Sequence, residues 1–143
     1  RRFFNIGKAH INGFEIQIQK ALSWIEATAN YTYLDHRNES DDRPLDALSK
    51  HSLNFDLQVF PFKKTRLGFY GLYASSSSWY DSGSRTLLTV PSYFNLDGIA
   101  AYRLGRVELF IKAGNIFNKF FYTDPGFPWR ARYAEFGIKA DIL

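Results

Sequence analysis

Strict alternation of apolar and polar residues is the feature that most restricts this chain. In Phe14-Glu15-Ile16-Gln17-Ile18-Gln19 every second residue is apolar, and Leu53-Asn54-Phe55-Asp56-Leu57-Gln58-Val59 repeats the pattern. Residues 134–142 repeat it again through Phe136, Ile138 and Ala140. Side chains alternate faces along a strand, so each segment has one apolar and one hydrophilic face. Residues 24–35, 94–104 and 107–117 read the same way less cleanly, while 67–74 reads as a strand whose facing the pattern leaves open. No segment carries a 3.6-residue stripe, so the expectation is about seven strands and no helix. The chain is expected to be all-β.

The connections restrict the architecture further. Short breaks are expected at 20–23, 61–65 and 104–106, and long polar stretches at 36–48, 75–92 and 118–131. Regular alternation of short and long connections suits an antiparallel up-and-down transmembrane β-barrel, with short periplasmic turns and long extracellular loops. Strands of about 9–11 residues cross a bilayer at a tilt, longer than the usual globular strand. The presumed lumen face carries Glu15, Glu26, Asp56, Glu108, Lys112, Glu135, Lys139 and Asp141, and the opposite face is nearly free of charge. Aromatics are abundant (Phe 14, Tyr 9, Trp 3), and many fall near strand ends, where barrels carry aromatic girdles. A soluble β-sandwich acting as a binding module, with those rings in its core, stays open at this point.

Composition removes several other classes. The chain has no Cys, which excludes a disulfide framework, a Cys-ligated zinc and a thiol nucleophile. Its longest uncharged stretch, 67–80, contains a serine run and falls short of the about 20 apolar residues of a membrane helix. It has no Met and starts at Arg1 without a signal-peptide pattern, so a piece of a longer or processed protein is expected. The net charge is +4, but the cations are scattered and cluster only at Lys63-Lys64-Thr65-Arg66, so no nucleic-acid partner is expected. His10, His36 and His51 lie far apart, and His51 reads as a structural residue at a strand entry. Ser52, His51 and Asp56 lack a nucleophile elbow, and Glu39, Asp41, Asp42 and Asp46 lack calcium-loop spacing. No enzyme activity, catalytic residue, metal site or cofactor is expected.

Four stretches resemble the C-terminal barrel region of TonB-dependent outer-membrane receptors. Asn5-Ile6-Gly7-Lys8-Ala9 through Gly13-Phe14-Glu15 is similar to a strand opening in that family. Arg43-Pro44-Leu45 through Lys50-His51 resembles its pre-strand stretch, with Ser49 at the usual proline position. Asn115-Ile116-Phe117-Asn118-Lys119-Phe120-Phe121-Tyr122 resembles its penultimate strand. Gly126-Phe127-Pro128-Trp129-Arg130-Ala131-Arg132 is similar to the element before its last strand, with Arg130 and Ala131 replacing a Pro and a Gly.

The resemblance implies that residues 1–143 are about the last seven strands of a 22-stranded barrel whose lumen is plugged, with the plug domain outside this chain. It further implies an outer-membrane transport receptor of a Gram-negative bacterium, importing a scarce nutrient such as a ferric siderophore, haem or cobalamin. Energy would come from TonB through the region ahead of the plug. Implied partners are outer-membrane lipid, the receptor's own N-terminal strands and plug, TonB, and a small ligand such as an iron chelate. A passive porin segment is the alternative within the barrel class. The loops carry the expected ligand contacts, Trp79 and Tyr80 in one and Trp129, Arg130 and Arg132 in another. Rings beside guanidinium groups suit planar or anionic ligands.

Overall fold

The computed structural model describes residues 7–124 and 126–141. Its main feature is one antiparallel sheet of seven strands. These are β1 (Ala9–Leu22), β2 (Ile25–Asn38), β3 (His51–Phe62), β4 (Thr65–Ala74), β7 (Tyr93–Leu104), β8 (Val107–Gly114) and β11 (Tyr133–Ala140). They pair in that order, each long strand beside the next in sequence. The two remaining pairs lie inside the long connections: β5 (Ser77–Asp81) with β6 (Thr86–Val90), and β9 (Tyr122–Asp124) with β10 (Phe127–Pro128). At the other end only Ser23-Trp24, Lys63-Lys64 and Gly105-Arg106 separate the strands. Gly105 has φ +62°, the left-handed region that a tight hairpin needs and that glycine adopts without strain.

Register turns the seven alternating segments into one two-sided wall. Phe14, Ile16, Ile18 and Leu22 stand opposite Tyr33, Tyr31, Ala29 and Ile25. Those four stand opposite His51, Leu53, Phe55 and Val59 of β3. The row continues through Leu67, Phe69, Gly71 and Tyr73, then Phe94, Leu96, Gly98 and Ala100. It ends on Leu109, Ile111 and Ala113 against Ile138, Phe136 and Ala134. Glu15, Thr32, Ser52, Asn54, Asp56, Gln58, Asp97, Lys112 and Glu135 lie on the opposite face by the same pairings. A slip of one residue would exchange the faces, so the pattern pins the register.

Three expectations change in the structure. Segment 67–74 gains a facing: its odd-numbered residues share the apolar face because Leu57 pairs with Phe69. The strand expected over 107–117 ends at Gly114, because Asn115 takes a positive φ of 47° and turns the chain. The long stretch 75–92 is ordered as the β5–β6 hairpin. Asn5, Ile6, Ile142 and Leu143 lie outside the described residues.

Nothing among the described residues covers the apolar face. Ile18 is 67% exposed, Phe136 91% and Ile138 71%, whereas a sandwich would pack a second sheet there. Buried hydrophobic residues are few, and Leu45, Val90 and Phe121 lie in or beside the long connections. Among the described residues the wall has no second layer to form a core with, and most of its buried hydrophobic residues lie at its loop end, Ala101 near the turns excepted.

Phe55 faces Gly71 across β3 and β4, and its ring occupies the space that a Cβ at Gly71 would need. Substituting Leu57→Arg or Ile138→Arg in the full protein should destabilise the bilayer-inserted form by about 2–4 kcal/mol near the midplane. Gln17→Arg, on the opposite face, should be nearly neutral. Urea unfolding in lipid vesicles reads the difference.

Candidate ligand-facing loops and lumen wall

The first loop, 39–50, is folded by short polar side chains. Asn38 is buried; its amide donates to Asp41 Oδ2 (2.9 Å), and its Oδ1 accepts from the Ser40 N–H (3.0 Å). Such local bonds are what Asn and Asp offer in turns, and the loop takes positive φ at Asp42 (53°) and Ala47 (60°). The Leu45 N–H donates to His36 Nδ1 at 3.2 Å, tucking Leu45 under the loop. His36 is only 5% exposed, and its Nε2 has no hydrogen-bond partner among the described residues. An open cavity of about 490 Å³ lies beside it, lined in part by His10, Arg37, Asp42, Arg43 and Lys50.

Arg43 and Asp46 tie this loop to the β5–β6 hairpin. The Arg43 guanidinium bonds Asp46 at 2.6 Å and lies 4.5 Å from the centre of the Tyr80 ring. Asp46 also accepts the Tyr80 N–H (3.0 Å), and the Ala47 N–H donates to Ser78 O (2.9 Å). At the hairpin's tip the Ser84 hydroxyl, and then the Gly83 N–H, hold the Asp81 carboxyl below its usual value. A lowered folded-state pKa means that the turn is strengthened above the ordinary carboxylate range and that this contribution is lost as pH falls through the lowered value.

The third loop is organised by Asn115. Its amide group donates to the carbonyls of Lys119 (2.9 Å) and Arg130 (3.0 Å), and its Oδ1 accepts from the Lys119 N–H (3.1 Å). Its own N–H donates to Asp97 Oδ1 on the lumen face at 2.7 Å. Asn118 Oδ1 accepts from the Arg132 N–H at 3.1 Å. The Asn-Ile-Phe-Asn stretch therefore closes a loop instead of continuing a strand. Above it, Tyr93 stacks on Phe121 (4.5 Å, 8°) and Phe121 on Trp129 (5.6 Å, 19°).

The five residues singled out in the sequence fall into two groups. Trp79 and Tyr80 sit half-buried in β5, with Tyr80 engaged by Arg43 and Asp46. Trp129 ends the aromatic stack and stays 40% exposed. Arg130 lies 3.8 Å over the Tyr133 ring and pairs with Glu135 at 3.4 Å. The Arg132 side chain is exposed and makes no ion pair among the described residues. The second and third loops meet through β6 and β9. Arg43, Asp46, Phe121 and Asn115 stand in stretches that the sequence singles out, but their role in holding the loops together, and that of Tyr93, was not read from it. His51 opens β3 as expected, its Nδ1 2.8 Å from the Tyr31 hydroxyl.

Below the loops the inner face forms a shallow groove of about 320 Å³, in which Asp56, Gln58, Asp97 and Lys112 stand among apolar and glycine residues such as Ile99 and Gly98. Nearer the turns, Arg66 reaches Glu108 (3.2 Å) and Gln58 (3.3 Å). Among the described residues no group of three or more His, Asp or Glu side chains is placed to hold a metal. No helix there is long and apolar enough to cross a membrane, which says nothing of crossing by strands.

A single-layer antiparallel wall, apolar outside and polar inside, with turns at one end and ordered loops at the other, is a segment of a membrane β-barrel. The family model described as TonB dependent receptor-like, beta-barrel matches residues 1–118, and the chain belongs to that family. Solved structures share the fold. The ferripyoverdine receptor of the outer membrane of Pseudomonas aeruginosa matches with TM-score 0.76 and 20% identity, over 91% of this chain and 19% of that one. The ferric-catecholate import receptor Fiu of E. coli K12, in its open form, matches with TM-score 0.78 and 17% identity, over 93% and 21%. The FrpB iron transporter of Neisseria meningitidis matches with TM-score 0.70 and 17% identity, over 91% and 23%. The chain spans about a fifth of the length of these structures.

Asn115→Ala should free the carbonyls of Lys119 and Arg130, costing about 1–3 kcal/mol locally. Hydrogen exchange should then accelerate over 116–130 and stay unchanged in β2 and β3. Unchanged protection in that loop would remove Asn115 as its organiser.

Proposed function

We propose that this chain is the C-terminal barrel segment of an active-transport receptor in a Gram-negative outer membrane, importing a scarce nutrient such as a ferric siderophore with TonB-derived energy. The observation that carries the reading is the register: across seven strands it keeps one face apolar and the other lined with carboxylates, amides and lysine. Such a wall meets lipid on one side and a polar interior on the other. Receptors of ferripyoverdine and ferric catecholates share the fold, which favours an iron chelate as the ligand class. In this reading the family is one of transport receptors and the chain performs no catalysis. Its inner groove faces a plug domain formed by another part of the receptor, and TonB acts on the region ahead of that plug.

Within the loops, the reading assigns ligand contact first to Trp129 and Arg132, whose ring and guanidinium are exposed. Tyr80 and Arg130 are engaged within the protein and shape the loop surface. Trp79 stands beside Tyr80 on β5 and belongs to the same ligand-facing hairpin. Aromatic stacking and a guanidinium would together hold a planar, anionic chelate.

Two experiments test the proposal. Single cysteines at Asp42 and Asp81 should react with an impermeant reagent on intact cells, and a cysteine at Lys64 should react only after the outer membrane is opened. Equal labelling at Lys64 and Asp81 would overturn the orientation. In the full receptor, Trp129→Ala with Arg132→Gln should weaken binding of the transported iron chelate by about 10-fold or more, and Lys139→Gln should leave it unchanged. Uptake that continues without TonB would instead favour the passive porin.

A further inference from the structure

We propose that the turn end of this segment binds anionic phospholipid headgroups through Lys20, Lys63, Lys64 and Arg106. The proposal rests on the lipid-facing reading of the apolar surface and goes beyond the transport function.

The three tight turns form one continuous rim. Trp24 O accepts from the Phe60 N–H (2.8 Å), Lys64 O from the Arg103 N–H (2.8 Å) and Arg106 O from the Asp141 N–H (3.0 Å), so each turn is joined to the strand that follows its partner. Lys20 stands in the apolar row, opposite Ala27 and between Ile18 and Leu22. A register shift between Val59 and Phe62 sets Phe62 opposite Thr65, which in turn faces Tyr102. The shift carries Phe62 onto the apolar face, where it is 74% exposed, level with Trp24 (56%) and Tyr102 (45%). Trp and Tyr rings, such as Trp24 and Tyr102, at one level of an apolar band mark the headgroup region.

The cations at this level are uncompensated. Lys20, Lys63, Lys64 and Arg106 are exposed and enter no ion pair among the described residues. The acids near this end are occupied or turned away: Glu108 pairs with Arg66, Asp141 with Arg103, and Glu26 lies on the polar face opposite Gln58. At the loop end Lys8, Arg37, Arg43 and Lys50 each have a carboxylate partner, while Arg85, Lys119 and Arg132 enter no ion pair among the described residues. Unpaired cations on flexible stems, directly below aromatic rings on a lipid-facing wall, are complementary to phosphate groups carrying net negative charge.

The test uses the full receptor in zwitterionic phosphatidylcholine bilayers containing trace spin-labelled phosphatidylglycerol or phosphatidylcholine. Phosphatidylglycerol should associate with the protein about 5-fold or more strongly at low salt, with the preference falling as sodium chloride screens it. The K20Q/K63Q/K64Q/R106Q variant should bring the ratio close to one, and a Lys119→Gln control should not. K63Q/K64Q, confined to an exposed turn, should lower the ratio partway and serves if the fourfold variant fails to fold. A wild-type ratio of one, or a preference unchanged in the folded variants, overturns the proposal. The readout involves no transported ligand, so it is independent of whether the uptake reading holds.

Discussion

Backbone hydrogen bonding without water is the constraint on which this structure depends. Inside hydrocarbon an unpaired N–H or C=O costs several kcal/mol, so a strand there must be paired along both edges. The seven strands answer by pairing each with its sequence neighbour, which needs only a tight hairpin at one end. Once that pairing is set, the period of two in the side chains does the rest. Leu53, Phe55, Leu57 and Val59 are brought beside Tyr31, Ala29, Ala27 and Ile25, and no residue needs a second layer to cover it.

A consequence is that packing energy is distributed unlike that of a water-soluble domain. The wall is held by its ladders, and most of the buried side chains gather where the chain leaves the wall. Leu45, Val90, Phe121 and the buried Asn38, Asn95 and Asn115 all belong to this loop end or its margin. Three buried asparagines in such a place are informative. Asn115 both donates to and accepts from loop backbone, through Lys119 and Arg130, whereas Asn38 joins Ser40 to Asp41 and Asn95 donates to the Asp97 carboxylate. The third loop is therefore a built surface, with the Trp129 ring stacked on Phe121 and the Arg132 backbone tied to Asn118.

Most of the wall was legible in the sequence, because a strand with one lipid face must alternate and 14–19, 53–59 and 134–142 do so openly. Segment 67–74 was not: Gly68, Tyr70, Leu72 and Ala74 on one face are hardly more polar than Leu67, Phe69, Gly71 and Tyr73 on the other. Only the pairing of Leu57 with Phe69 decides between them. The end of β8 was obscured because Ile116 and Phe117 prolong an apolar pattern that Asn115 has already broken with a positive φ. Candidate ligand residues were chosen by chemistry alone, and sequence holds no record of which rings and guanidinium groups are spent on one another. Tyr80 beneath Arg43 and Tyr133 beneath Arg130 are contacts between side chains whose relative placement only the folded loops define.

The most direct measurement of the central claim is a nitroxide scan along residues 52–59 of the full protein in a phospholipid bilayer. Collision with oxygen, which concentrates in hydrocarbon, should be high at Leu53, Phe55, Leu57 and Val59. Collision with a water-soluble nickel chelate should be favoured at Ser52, Asn54, Asp56 and Gln58. An alternation of period two between the two quenchers is the predicted result; equal accessibility to both along the segment, or a shared burial from both, would contradict a wall with lipid on one face and a polar interior on the other.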